Sequence, residues 1–135
     1  MAEILHYSSL DEFIDGEVTP SMQFLVSEHG FTELRPDKLF PGFDYLPVRY
    51  MKGDVCISVW CGQWCIIDVS VDHLVDNEPK LLGKIDKFIK RKCRDKLPPR
   101  GSYGHDRLYQ YAIVLKTCLS ELLEGSIARF LKSMP

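Results

Sequence analysis

Nucleophilic or acid–base chemistry needs a reactive side chain held beside a base, and this chain supplies candidates by type without a spacing that pairs them. Five cysteines stand at 56, 61, 65, 93 and 118 and four histidines at 6, 29, 73 and 105. None of the patterns that give such residues a mechanism is present: no G-x-S-x-G elbow, no phosphate-cradling glycine loop, no H-E-x-x-H, no paired-carboxylate signature. An odd cysteine count without a C-x-x-C pair argues for reduced thiols rather than a disulfide framework. Strand alternation places Cys61 and Cys65 on one face and Cys56 on the other, so they do not converge on a metal, and neither metal nor cofactor is expected. His29 closes an apolar helical stripe, near the favourable end of the helix dipole. His105, in Tyr103-Gly104-His105-Asp106, is the histidine to substitute first if an activity were found. The chain reads as a non-enzyme.

Charge is distributed with more purpose. The first 34 residues carry seven acids and no lysine or arginine, whereas 80–107 carries ten cations against three acids, a local +7 inside a formal total of −2. Such a dipolar molecule can steer a complementary surface. Asp11, Glu12, Asp15 and Glu17 are candidate contacts for a basic partner, although acids near helix N-termini are also favourable by themselves. The basic segment 80–100, with Lys84, Lys87, Lys90, Arg91, Arg94 and Arg100, offers the alternative of a nucleic-acid-associated protein. A pI near 6.1 and the lack of interleaved aromatics weigh against it. A solvated helix face explains many of these charges.

The residues that must position these groups are centred on 46–71. β-Branched and aromatic residues alternate there between Lys52-Gly53-Asp54 and Gly62-Gln63, which reads as three strands and two turns. One face carries Val48, Tyr50, Val55, Ile57, Val59, Cys61, Cys65, Ile67, Val69 and Val71 and is the core side. The other carries Arg49, Met51, Cys56, Ser58, Trp60, Trp64, Ile66, Asp68 and Ser70. Arg49, Trp60 and Trp64 are the types enriched in binding hot spots, so this second face is either covered by helices or open to a partner or to a second copy in a homodimer.

Around this meander, Ser9 and Glu12 have capping-box spacing at the head of a short helix. Gly16 weakens that helix, and Thr19-Pro20 opens a second one that runs to His29 and stops at Gly30. Residues 31–34 suit an edge strand before a proline-rich loop. A turn over 72–77 leads to a helix opening at Glu78-Pro79 and ending before Pro98-Pro99. Asp106 caps the longest helix, whose stripe continues through Leu119 and Leu122, and Ile127, Phe130 and Leu131 form a last short one. The expected architecture is α+β: one domain over 1–135, with a small antiparallel meander packed with N- and C-terminal helices. No run approaches a membrane span and the N-terminus lacks a signal pattern, so a cytoplasmic location without membrane contact is expected.

The segments F-L-V-S-E-H-G-F (24–31), V-R-Y (48–50), C-I-S-V-W (56–60), I-I-D-V-S-V (66–71) and L-Y-Q-Y-A with L-L-E-G-S-I-A-R-F (108–130) resemble a broad group of small bacterial proteins. In that group a helix ending in a glycine-aromatic pair precedes an antiparallel meander. Some members resemble immunity proteins, which neutralise a cognate toxin by binding it. The resemblance implies a protein-binding module whose partner is a toxin domain, and carries over no catalytic residue.

Overall fold

A computed structural model describes residues 9–36, 46–62, 65–99, 101–102 and 104–135. Its centre is a five-stranded antiparallel sheet in the order β1-β2-β3-β4-β5, made of Thr32–Leu34, Leu46–Lys52, Val55–Gly62, Cys65–Val75 and Glu78–Lys84. The α+β expectation is met, with helices before and after the sheet. The β2–β3 hairpin turns on Gly53, whose φ of +58° suits a tight two-residue connection. Val48 faces Val59, Tyr50 faces Ile57, and Ile57 in turn faces Val71. Tyr50, Ile57, Val59, Val69 and Val71 are completely buried, as alternation predicts for the core face.

Two departures from strict alternation correct the sequence reading. At Trp60/Cys61 the β3–β4 register slips, so Ile66 stands opposite Cys61 and packs against the core rather than on the second face. A bulge of this kind inserts one unpaired residue and reverses the phase beyond it. The second departure is larger: Glu78–Lys84, expected to open a helix, is the edge strand β5. Asp76 and Asn77 both take left-handed φ, 55° and 64°, and return the chain as a hairpin of the primed type. Leu81 and Leu82 fit a helical stripe with Ile85, Phe88 and Ile89, but the β4–β5 register shifts between Val71 and Asp72, which pair with Gly83 and Leu81 and leave Leu82 as the extra residue. Pairing with β4 outweighs the helix propensity of lysine and leucine. The edge is guarded against further pairing by Pro79, Lys80, Lys84 and that bulge.

The helix after β5, α3, is therefore shorter than expected, at Ile85–Lys92. At the N-terminal end Ser9 Oγ does accept from Glu12 N, at 3.2 Å. Gly16 does not end the helix: α1 (Leu10–Phe13) widens into a π-turn over Ile14–Val18 and continues as α2, Thr19–His29. The widened turn lets both Ile14 and Val18 point into the core. Thr19 lies inside α2 and does not cap it; α2 ends as predicted, with Gly30 at φ +74°. The helix α4 starts at Gly104, two residues before the expected cap, and stops at Lys116. A 3-10 turn over Ser120–Glu124 then carries Leu122 into the core. Finally α5, Ile127–Lys132, begins at Ser126, whose Oγ accepts from Arg129 N at 3.2 Å.

Residues from every one of these helices join the Tyr50–Ile57–Val71 face in one buried cluster, including the edge-on pair Phe88–Phe130 with ring centroids 5.1 Å apart. No helix among the described residues is long and apolar enough to cross a membrane. The expectation of reduced thiols is corrected for one pair. Cys93, after α3, and Cys118, after α4, form a disulfide with Cα atoms 6.5 Å apart, while Cys56 and Cys61 are free and buried. The turns that end both helices bring the two residues together, which spacing alone does not reveal.

Next to the disulfide, Lys92 Nζ lies 2.6 Å from Glu121 Oε2. That contact lowers the Glu121 carboxyl below its ordinary range, against a smaller opposing effect of burial. A depressed carboxylate contributes stability above its unfolded pKa and loses it as pH falls through the folded value. Glu121→Gln is expected to cost about 0.5–1 kcal/mol at neutral pH and progressively less as pH falls below the ordinary carboxylate range, read as urea midpoints across a pH series.

Candidate functional site

The second sheet face carries a connected polar network rather than a mixed surface. Cys56, Ser58 and Trp60 on β3 alternate with the core residues, as do Asp68, Ser70 and Asp72 on β4, so the register sets them side by side. Asp72 Oδ2 accepts from Ser58 Oγ at 2.6 Å and from Arg49 Nη1 at 3.1 Å. Its other oxygen accepts from Ser70 Oγ at 3.2 Å, and Ser70 Oγ in turn accepts from Trp60 Nε1 at 2.9 Å. Arg49 Nη1 also donates to Ser58 Oγ at 2.9 Å, and its guanidinium lies 5.6 Å from the Trp60 ring centroid. A buried carboxylate needs a cation and donors, and Asp72, 2% exposed, has both. At the edge, Asp68 holds Lys84 at 3.0 Å.

Both serine hydroxyls of the network donate to Asp72. Ser58 donates to a carboxylate, and no imidazole contacts it among the described residues. Burial raises the Cys56 pKa, the hydrogen bond to Ser58 opposing this only in part, so Cys56 stays a thiol at neutral pH. His73 instead contacts Asp54 at 3.1 Å, and His29 meets the Phe24 ring edge-on. No group of three or more metal-ligating side chains occurs among the described residues. What the arrangement does provide is a tryptophan and an arginine, both partly exposed, locked in place from beneath.

Arg49 and Trp60 thus come together as expected, while Trp64 and Arg100 lie outside the described residues. The acidic group is used differently. Arg35 reaches Asp11 at 3.2 Å, Asp15 at 2.6 Å and Glu33 at 2.6 Å, tying the first helical turns to β1. Burial disfavours the charged Arg35, yet hydrogen bonds to these carboxylates outweigh it and raise its pKa. Glu33 also accepts from the buried Tyr50 hydroxyl at 2.9 Å, and burial together with that charge raises the tyrosine pKa. Asp11, Glu12 and Asp15 remain exposed at the surface, whereas Glu17 is 8% exposed.

Ser58, Ser70 and Asp72 were not singled out from sequence. A signal exists in the period-two runs C-x-S-x-W and D-x-S-x-D, which put small polar groups on a face that also bears Trp60. Asp72 was hidden because 72–77 reads as a turn, while β4 in fact runs on to Val75. An open groove of about 650 Å³ between the start of α2 and the start of α4 is lined by Pro20, Ser21, Tyr109 and Gln110 and shares no residue with this network. Compared with known proteins, the chain matches no family model, no curated protein and no solved structure.

Proposed function

We propose that this chain is a non-enzymatic binding module that engages a protein partner through the sheet face around Arg49 and Trp60. One observation carries the reading. Both side chains are partly exposed yet immobilised, by stacking on each other and by hydrogen bonds that end on the buried Asp72. Rigid aromatic and arginine anchors lose little conformational freedom on binding, which is what makes them hot spots. Occlusion of a toxin domain, in the manner of an immunity protein, is the form of this function that the sequence resemblance favours. The exposed Asp11, Glu12 and Asp15 would add steering toward a basic partner. A cytoplasmic location belongs to the same reading and requires that the fold survive reduction of Cys93–Cys118.

The test is affinity capture from the source cells with tagged protein, followed by titration of the captured partner. Trp60→Ala is expected to weaken binding by about 10²–10³-fold, the range of a central hot spot. Thermal melts of the variant check that the fold is retained. A partner bound equally well by Trp60→Ala and Arg49→Ala would remove this face from the interface. Restored growth of toxin-expressing cells by the wild type, but not by Trp60→Ala, is the outcome specific to immunity.

A further inference from the structure

The strongest unassigned feature is the outer side of α3. Its inner positions Ile85, Phe88 and Ile89 are buried, and the opposite side presents Lys87, Lys90 and Arg91 at the i, i+3, i+4 spacing of one helical stripe, with Arg94 in the 3-10 turn that follows the helix. All four are exposed, and among the described residues none has a side-chain carboxylate partner. The neighbouring cations do have one: Lys84 holds Asp68, Lys92 holds Glu121 and Arg107 holds Asp86. Arg91 donates to the oxygen of Pro135, the last residue of this sequence, at 3.3 Å, and Lys87 approaches the carbonyl of Leu82 and the Phe88 ring. The single acid between residues 87 and 96 is Asp95. The acid on the helix itself, Asp86, is turned inward to accept from Tyr111 at 2.6 Å and pair with Arg107 at 3.1 Å.

We propose that this stripe is a binding surface for the phosphate backbone of duplex nucleic acid, independent of base sequence. The helical part of the stripe, Lys87 to Arg91, spans roughly 6 Å, so with Arg94 beyond the helix end the surface can face about three successive phosphates of one strand. The helix is held rigid at its far end by the disulfide after Cys93 and by Lys92, which also donates to Ser133 Oγ at 3.1 Å. The apolar side chains of α3 are committed to the core, so the stripe has nothing to insert into a bilayer and no aromatic to stack on an unpaired base. Phosphate attraction is what remains.

The experiment is a titration of a fluorescent DNA duplex of about 20 base pairs across a salt series. Three phosphate contacts give a log–log slope of about −2.7, a loss of about 40-fold between 50 and 200 mM salt. Lys90→Ala/Arg91→Ala is expected to reduce that slope by about 1.8. Lys132→Glu, on exposed α5 surface and with the same change in net charge, should leave it unaltered, as should Trp60→Ala. Absence of duplex binding at about 20 mM salt would falsify the proposal. So would an equal slope in Lys90→Ala/Arg91→Ala, or binding to polyglutamate or phosphatidylserine vesicles in place of the duplex.

Discussion

Gly53→Ala is expected to lower the unfolding free energy by about 3 kcal/mol or more, a large effect for one methyl group. Gly53 has φ +58°, which by itself disfavours a side chain, and its added Cβ would fall well inside van der Waals contact of the Gly125 carbonyl oxygen. That oxygen is part of the backbone and cannot swing away. The clash also sits where the β2–β3 hairpin docks onto the junction before α5. There Asp54 Oδ1 accepts from Ile127 N at 2.8 Å, Asp54 N donates to Gly125 O at 3.3 Å, and Lys52 Nζ donates to Leu123 O at 2.7 Å. Moving the hairpin releases these bonds and leaves the first turn of α5 short of an acceptor. Urea unfolding of Gly53→Ala and of Gly30→Ala makes the comparison. Gly30 also has positive φ but open space around its Cα, so only the strain of about 1–2 kcal/mol should appear there. Equal losses in the two variants would mean that the hairpin does not dock.

Reduction of Cys93–Cys118 is the other large expected effect. The bond closes a chain segment with a separation of 25 residues, and constraining a loop of that length in the unfolded state is worth about 3–4 kcal/mol. The urea midpoint should fall on adding a phosphine reductant, and Cys93→Ser/Cys118→Ser should match the reduced protein and be insensitive to reductant. Thiol titration of the denatured, unreduced chain should find two thiols fewer than after reduction. An identical count, with a midpoint indifferent to reductant, is the result that removes the cross-link. The same titration bears on the proposed cytoplasmic location, since a fold that persists after reduction is compatible with a reducing compartment.

The two contacts with the largest expected effects on stability were both invisible to local reasoning. Gly53 reads as a turn glycine from its neighbours, but Gly125 is 72 residues later in the chain and becomes its neighbour only when the hairpin meets the C-terminal helices. Cys93 and Cys118 likewise meet because two helices end at one level. In the same way Arg49 and Trp60 were legible as neighbours on the second sheet face, while Asp72, which accepts from Arg49 and, through Ser70, from Trp60, was not.

Composition and alternation alone determined the α+β class, the core face of β2 and β3, the edge strand β1, the Gly30 stop and the segregation of charge. Each of these depends on residue type over a few neighbouring positions, where sterics and hydrophobic periodicity act directly. The tertiary structure decided the rest: that 78–84 is a strand, that Ile66 turns into the core, that Asp11 and Asp15 hold Arg35, and which cations stay unpaired. Those outcomes are set by which distant segments share a hydrogen-bond ladder or an ion pair. The free energy of that pairing exceeds the few tenths of a kcal/mol per residue by which local propensities differ.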